Sequence, residues 1–318
     1  MSIRWGIAGT GRIASDFVRD IAQISEADVV AVGSRTLDGA RNFADSRNIP
    51  GAHGSIEELA ADPEVDVIYV AGIHPVHRDH AIAAMRGGKH VLVEKPLAMN
   101  AHEVEEMVEV ARETGRFLME AMWTRFNPLH VELRRRFDAG EFGPVTSIVS
   151  DFSFSAPREA THRLFDPTKG GGSLLDVGIY PISLAWWWLG APSSWTATGV
   201  IGPSGVDESV ALSLSWSGGQ TASLTCGTTF DGPKVSTITC ESAVLTIPAP
   251  AHSSPIADIR TTAGTETVRC APPGLHHQVN EVHRCIGIGV NESPRMSHDD
   301  SLRIATFMDD VLTVLHGR

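Results

Sequence analysis

Cysteine is scarce in this chain, and its four residues, Cys226, Cys240, Cys270 and Cys285, lie too far apart for a C-x-x-C pair or for the Cys/His spacing of a zinc site. That spacing argues against a metal or disulfide framework and predicts buried thiols in a reducing cytoplasm. Long apolar runs are also missing, none reaching the roughly 20 residues that a membrane-spanning helix needs. The first residues pass straight into "IRWGIAGTG" without a basic segment and a sustained apolar run, so no signal peptide is expected and the expected location is cytoplasmic. Basic charge is in deficit, with 26 Lys and Arg against 38 Asp and Glu and a net charge of −12, which disfavours nucleic acid or an anionic membrane as partner. Any phosphate must then be met by a local basic spot. No internal repeat or low-complexity linker interrupts the chain, and tyrosine occurs only twice.

At 318 residues the chain exceeds one typical core, and its rhythm divides it in two. Up to about residue 120, the apolar runs "IRWGIAG", "DVVAVGS", "VDVIYVAG", "HVLVEKP" and "RFLMEAM" alternate with segments of helical period. Strands without polar alternation are buried on both faces, so this half is predicted to be an α/β domain with a doubly wound parallel sheet. Later the rhythm changes. "ALSLSWS" alternates Leu212, Leu214 and Trp216 with serines, and Gly218-Gly219 separates it from "QTASLTC", the pattern of a hairpin with one apolar face. "VSTITC", "AVLTI" and "ADIRTT" extend that reading to an open, mainly antiparallel sheet flanked by helices over "NPLHVELRRRFDAG", "SLLDVGIYPISLAWWWLG", and near 275 to 290 and 299 to 316. The domains expected are 1–121, the doubly wound α/β half, and 122–318, the half built on the open sheet.

"GIAGTGRIA" matches G-x-G-x-x-A at Gly9, Gly11 and Ala14, directly after a strand and opening a helix. Gly9 permits the tight turn, Gly11 lets a pyrophosphate approach the backbone, and Ala14 allows close helix–strand packing, while the helix N-terminus offers free N–H groups. Thr10, Arg12 and Ile13 complete the expected cofactor loop. A sheet that uses NAD usually ends its second strand on Asp or Glu. Here that strand ends on Ser34 and Arg35, and Asp38 sits where a helix N-cap is expected. A hydroxyl and a guanidinium in place of a carboxylate make a site for a 2′-phosphate, predicting NADP over NAD; the alternative is a solvated surface arginine.

Ligands of open α/β sheets sit outside the carboxyl ends of the strands, where "AGIHPVH" and "EKP" both fall. Ala71, His74, His77, Glu94, Lys95 and Pro96 are therefore expected along the crevice, with Lys95 aimed at the nicotinamide end; a surface pair of Glu94 and Lys95 is the plainer alternative. In "GGGSLLDVGIYP" the glycines at 170 to 172 permit close approach or positive φ, and Asp176 and Tyr180 share a face if helical. Pro181 disfavours a regular helix there, so irregular first turns are expected. Tyr180 is either catalytic or a half-buried packing residue.

Taken together, "GTGRIA", "EKP" and "GGGSLLDVGIYP" in this order resemble the glucose-fructose oxidoreductase / inositol dehydrogenase (Gfo/Idh/MocA) family. "EAMWTRFNP" and "CIGIGVNESPRMSHDDSL" look like its dimeric dihydrodiol dehydrogenase and NADP-dependent xylose dehydrogenase branch. The chain departs from many members in having Tyr180 rather than His, and His74 rather than Asn.

The resemblance spans essentially the whole chain. It implies an NADP-dependent dehydrogenase acting on a sugar, polyol or cyclic diol, an open sheet that often forms a dimer, and Lys95 and Tyr180 in catalytic positions with Asp176 beside them. Tyr180 then serves as acid–base and Lys95 as the cation that favours phenolate and alkoxide. Trp123, Arg125, Arg163 and His276 or His277 fall in segments that the resemblance places around the substrate, where simple packing or a solvated charge is the alternative for each. His102 is expected on a helix surface, and the tryptophans at 186 to 188 in core and interface. A non-catalytic dinucleotide sensor of the same fold, and an oxidoreductase that never releases its cofactor, are the rival readings.

Overall fold

In the computed structural model, which describes residues 2–157, 159 and 162–317, the chain forms two units. The first contains the residues up to Trp123 together with Gly274–Ala305. Its apolar runs become the parallel strands β1 (Ile3–Ala8), β2 (Ala27–Gly33), β3 (Gly51–His53), β4 (Val67–Val70), β5 (His90–Glu94) and β6 (Leu118–Ala121), in the order β3-β2-β1-β4-β5-β6. Helices α1 (Arg12–Ile21), α2 (Leu37–Asp45), α3 (Ile56–Ala61), α4 (His77–Arg86) and α5 (Ala101–Thr114) supply the crossovers. Every residue of β4 and β6 is buried, because helices cover a parallel sheet on both faces; the charged residue among them, Glu120 of β6, accepts there from the Leu97 N–H and the Ser301 hydroxyl. Ile68, Val70, Val91 and Val93 pack there with Met107 and Val108 of α5. Strand order reverses at β1, which lies between β2 and β4, and this opens a crevice at the carboxyl ends.

One local expectation is corrected. The N-cap of α2 is Thr36, whose hydroxyl accepts from the Gly39 N–H, and Asp38 lies in the first turn, where a carboxylate faces the positive end of the helix dipole.

The second unit, Thr124–Pro273 with the residues from Thr306, contains α6 (Pro128–Asp138) and α7 (Ile179–Leu189). Its strands are β7 (Val145–Ser153), β8 (Ser194–Ile201), β9 (Asp207–Ser215), β10 (Thr221–Gly227), β11 (Ser236–Cys240), β12 (Val244–Ile247), β13 (Ile256–Thr261) and β14 (Gly264–Arg269). They form one sheet, β14-β13-β12-β11-β7-β10-β9-β8, antiparallel except where β7 runs parallel to β10. The expected hairpin is β9–β10, with Leu212 and Leu214 buried and Ala211 and Ser213 exposed, turning at Gly219 with φ +86. Strands β7 and β8 escaped the sequence reading. "VTSIVSDFS" has its polar residues on both sides of the strand, and "SWTATGVI" is mostly small, polar and exposed. Helices α8 (His276–Gly287) and α9 (His298–Leu315) end the chain; α8 belongs to the first unit, where Trp5 Nε1 donates to His283 Nε2 at 3.0 Å.

Candidate active site

In the first unit, Gly9 leaves β1 at φ +128, a conformation open to glycine. A Cβ there would fall 2.7 Å from the Ala71 carbonyl oxygen, so the missing side chain is what lets the ends of β1 and β4 close on each other. Gly11 is the N-cap of α1. It supplies no side-chain cap, and a Cβ built on it meets nothing within 4 Å. The first-turn N–H groups thus lack a cap from Gly11 beside open space, flanked by half-buried Thr10 and Ile13 and exposed Arg12, while Ala14 is fully buried against the sheet. An anionic pyrophosphate fits this arrangement. Beyond β2, Ser34 is half-buried and Arg35 exposed, with no carboxylate between Gly33 and the α2 cap.

Strands β4 and β5 end beside this turn. Ala71 and His74 are buried behind it, and Lys95 is half-buried, joined to Pro96 by a cis peptide. β5 lies two strands from β1, roughly 10 Å at the usual strand spacing. Glu94 is buried, and its Oε1 accepts from the Tyr69 hydroxyl at 2.5 Å; the Tyr69 ring stacks on Phe17 of α1 at 3.8 Å.

His77, expected as a cofactor contact, is wholly enclosed instead. Nδ1 lies 2.9 Å from the Pro96 carbonyl and Nε2 3.2 Å from the Gly72 carbonyl, so the ring ties the exits of β4 and β5 and offers a ligand no face. Burial pushes its pKa down from 6.5 to about 4, outweighing the two carbonyls, which favour the charged form.

His276, expected at the substrate, opens α8. The neighbouring Leu275 N–H donates to Asp20 near the end of α1, so the sequence around His276 sits one helix length, about 13 Å, from the glycine turn. A hollow of this unit, about 770 Å³, also opens at the amino ends of the strands, among Arg4, Asp66, Lys89, His90 and Arg116. Two of its cations are engaged: Arg4 pairs with Asp66, and Lys89 donates to the carbonyls of Asp62 and Val65.

In the second unit the glycine triplet is a docking device. A Cβ at Gly171 would lie within 3 Å of the carbonyl oxygens of Arg163, Leu164 and Asp166, and one at Gly172, where φ is +123, would fall 2.4 Å from Asp207 Oδ1. The Arg163–Phe165 turn can therefore press on the triplet, and Arg163 Nη2 reaches Asp176 Oδ1 at 3.0 Å. The guanidinium is exposed and the carboxylate buried. Leu174–Gly178 is a π turn leading into α7, the irregularity expected ahead of Pro181. Half-buried Tyr180 follows, its ring 5.2 Å from Phe152 and 5.3 Å from His252, and those two rings stack at 4.2 Å beside a narrow cavity.

Arg125 is a structural residue, 1% exposed, with Nε donating to Ser183. Trp123 is half-buried, His102 lies exposed on α5, and Trp186 and Trp188 are buried. Sequence reasoning missed Tyr69, Asp207, Phe152 and His252. None stands in a motif, and each reaches its partner from a distant part of the chain.

Residues 3–122 match the family model described as "Oxidoreductase family, NAD-binding Rossmann fold", and residues 130–246 match "GFO/IDH/MocA C-terminal domain". The chain belongs to the GFO/IDH/MocA oxidoreductase family. A trans-1,2-dihydrobenzene-1,2-diol dehydrogenase of Xenopus laevis is 38% identical, covering 99% of this chain and 98% of that protein, and its Danio rerio counterpart is 38% identical over 98% and 96%. Among solved structures, KijD10, a 3-ketoreductase from Actinomadura kijaniata in complex with NADP and TDP-benzene, superposes with a TM-score of 0.86 at 27% identity, covering 98% of each chain. This GFO/IDH/MocA protein is thus an oxidoreductase with an NAD-binding Rossmann domain.

Proposed function

We propose that the protein transfers hydride reversibly between NADP(H) and a secondary alcohol or hemiacetal carbon of a sugar, polyol or cyclic diol. The observation that carries this reading is the placement, at the carboxyl ends of the first unit's sheet, of an open glycine turn after β1 and a half-buried lysine after β5, two strands away. The names of the relatives, a diol dehydrogenase and a sugar-nucleotide ketoreductase bound to NADP, support the substrate class and the cofactor. Ser34 and Arg35 after β2, with no acid there to repel a 2′-phosphate, support NADP over NAD.

When bound, the nicotinamide supplies the hydride acceptor or donor. Among the protein's own groups, Tyr180 Oη takes the hydroxyl proton during oxidation and returns it during reduction. A free phenol has a pKa near ~10, so a cation is required to bring it into range, and Lys95 Nζ is assigned that part together with stabilising the developing alkoxide. Asp176 orients the polar groups of the site, held by Arg163. Trp123 supplies an apolar surface and Arg163 a donor to substrate hydroxyls. A second copy is proposed for the open face of the larger sheet. There Val149 and Val200, both 55% exposed, point the same way by the register Val149–Ser223–Ser213–Thr196.

The test is NADP reduction by pentoses, hexoses, inositols and cyclic diols, run with Tyr180→Phe and Lys95→Met. Each variant should bind NADP and lose about 10²–10⁴-fold in kcat. Near-normal turnover in either removes that residue from the mechanism.

A further inference from the structure

The π turn that carries Asp176 toward Tyr180 is seated by two neighbouring strands. Asp207, first residue of β9 and 3% exposed, accepts from Ser173 Oγ at 2.7 Å and from the Leu174 N–H at 2.6 Å through Oδ2, while Oδ1 occupies the space that a side chain at Gly172 would need. On β10, whose Cys226 pairs in register with Val210 of β9, the Cys226 thiol lies 3.7 Å from Ser173 Oγ and 2.9 Å from where a Cβ on Gly178 would stand. One strand therefore grips the start of the turn, and the next fits against its end.

We propose that Asp207 is a positioning residue of the reaction, fixing Tyr180 and Asp176 by holding the π turn open; this rests on the catalytic reading of Tyr180 given above. A π turn contains one residue more than the α-helical ladder, and in α geometry each residue turns the chain by about 100°. If the grip on Ser173 and Leu174 is released, the turn relaxes toward α geometry and everything between it and the anchored part of α7 changes azimuth. Tyr180 is two residues beyond the turn. Burial pushes the Asp207 carboxyl up and its hydrogen-bond donors pull it down, so the side chain is costly to hold there and is stabilised by the contacts it positions. An ordinary cap stabilises a helix end, but it does not need a glycine emptied of its side chain beside it or a thiol fitted against the far end of the turn.

The chain's two tyrosines, Tyr69 and Tyr180, allow a direct test. Protein labelled with 3-fluorotyrosine gives one ¹⁹F resonance for each, assigned with Tyr180→Phe. In Asp207→Ala the Tyr180 resonance should shift or broaden while that of Tyr69 stays in place, and Asp207→Asn, which keeps an acceptor, should restore most of the native spectrum. Turnover should follow, with kcat falling by about 10²-fold in Asp207→Ala, as expected for a misplaced reacting group, and NADP affinity unchanged within about threefold. A folded Asp207→Ala with an unmoved Tyr180 resonance and native kcat overturns the proposal. Should that variant not fold, Ser173→Ala removes the hydroxyl contact to Asp207, and an unmoved Tyr180 resonance there overturns it equally. If the resonance moves but the wild-type protein oxidises nothing in the substrate panel, the catalytic reading has failed and the seat itself stands.

Discussion

The Tyr69 hydroxyl donates to the Glu94 carboxylate inside the first unit, joining the middle of β4 to the last residue of β5 immediately before Lys95. Both residues are buried, so this contact ties the two strands together at the exit of β5. Tyr69→Phe keeps the ring and removes the hydroxyl that donates to Glu94. It should cost about 1–3 kcal/mol, the usual penalty for taking a partner from a buried polar group. Urea denaturation measures the stability change. Steady-state kinetics should show kcat falling with little change in the dissociation constant for NADP, because the glycine turn after β1 is untouched. A variant as stable as the parent would mean that Glu94 does not depend on the phenol.

In the function proposed above, cofactor choice turns on Arg35, which is exposed after β2 where no acid stands. Arg35→Ala should lower kcat/KM for NADP by about 10–100-fold, corresponding to the loss of a charge-assisted hydrogen bond, and leave the value for NAD within about threefold. Raising the salt concentration should weaken NADP binding to the parent more than to the variant. A parent enzyme that prefers NAD, with Arg35→Ala unaltered, would return Arg35 to the solvated surface.

The Rossmann half was legible because its strands are covered on both sides: a strand such as β4 is a near-continuous apolar run, and the turn between β1 and α1 can only be glycine where Gly9 adopts φ +128. The hairpin β9–β10 was legible for the opposite reason, since one face is exposed and the residues alternate. Strand β7 was not, although it lies inside the sheet. Its place depends on pairing with β10 and β11, which lie far along the chain, and not on any local pattern. The same holds at the site. Lys95, Asp176 and Tyr180 stand in motifs, whereas Asp207 and Tyr69 matter only through what they touch. His77 shows the converse, a residue in a suggestive motif whose ring faces two backbone carbonyls. The return of Gly274–Ala305 to the first unit is likewise a long-range fact that periodicity near residue 280 does not carry.

His77 also gives the protein a pH signature. Its imidazole is fully enclosed, and burial lowers its pKa from 6.5 to about 4, so in the folded chain it stays neutral while an unfolded chain takes up a proton. The stability it contributes is therefore complete above about pH 6.5 and is lost as the pH falls toward 4. Each unit of that interval is worth about 1.4 kcal/mol. His130 and His298, also buried, and the partly buried His80, His90 and His283 are shifted down by burial as well, so they steepen the same acid slope. The share of His77 is isolated by comparison with His77→Gln, which can hydrogen-bond to a carbonyl but cannot titrate. In urea titrations between pH 7 and 4.5, the parent should lose stability faster than the variant, by a slope difference approaching one proton near pH 5. Equal slopes would mean that the ring is already charged in the fold, with an N–H for each of the carbonyls of Gly72 and Pro96.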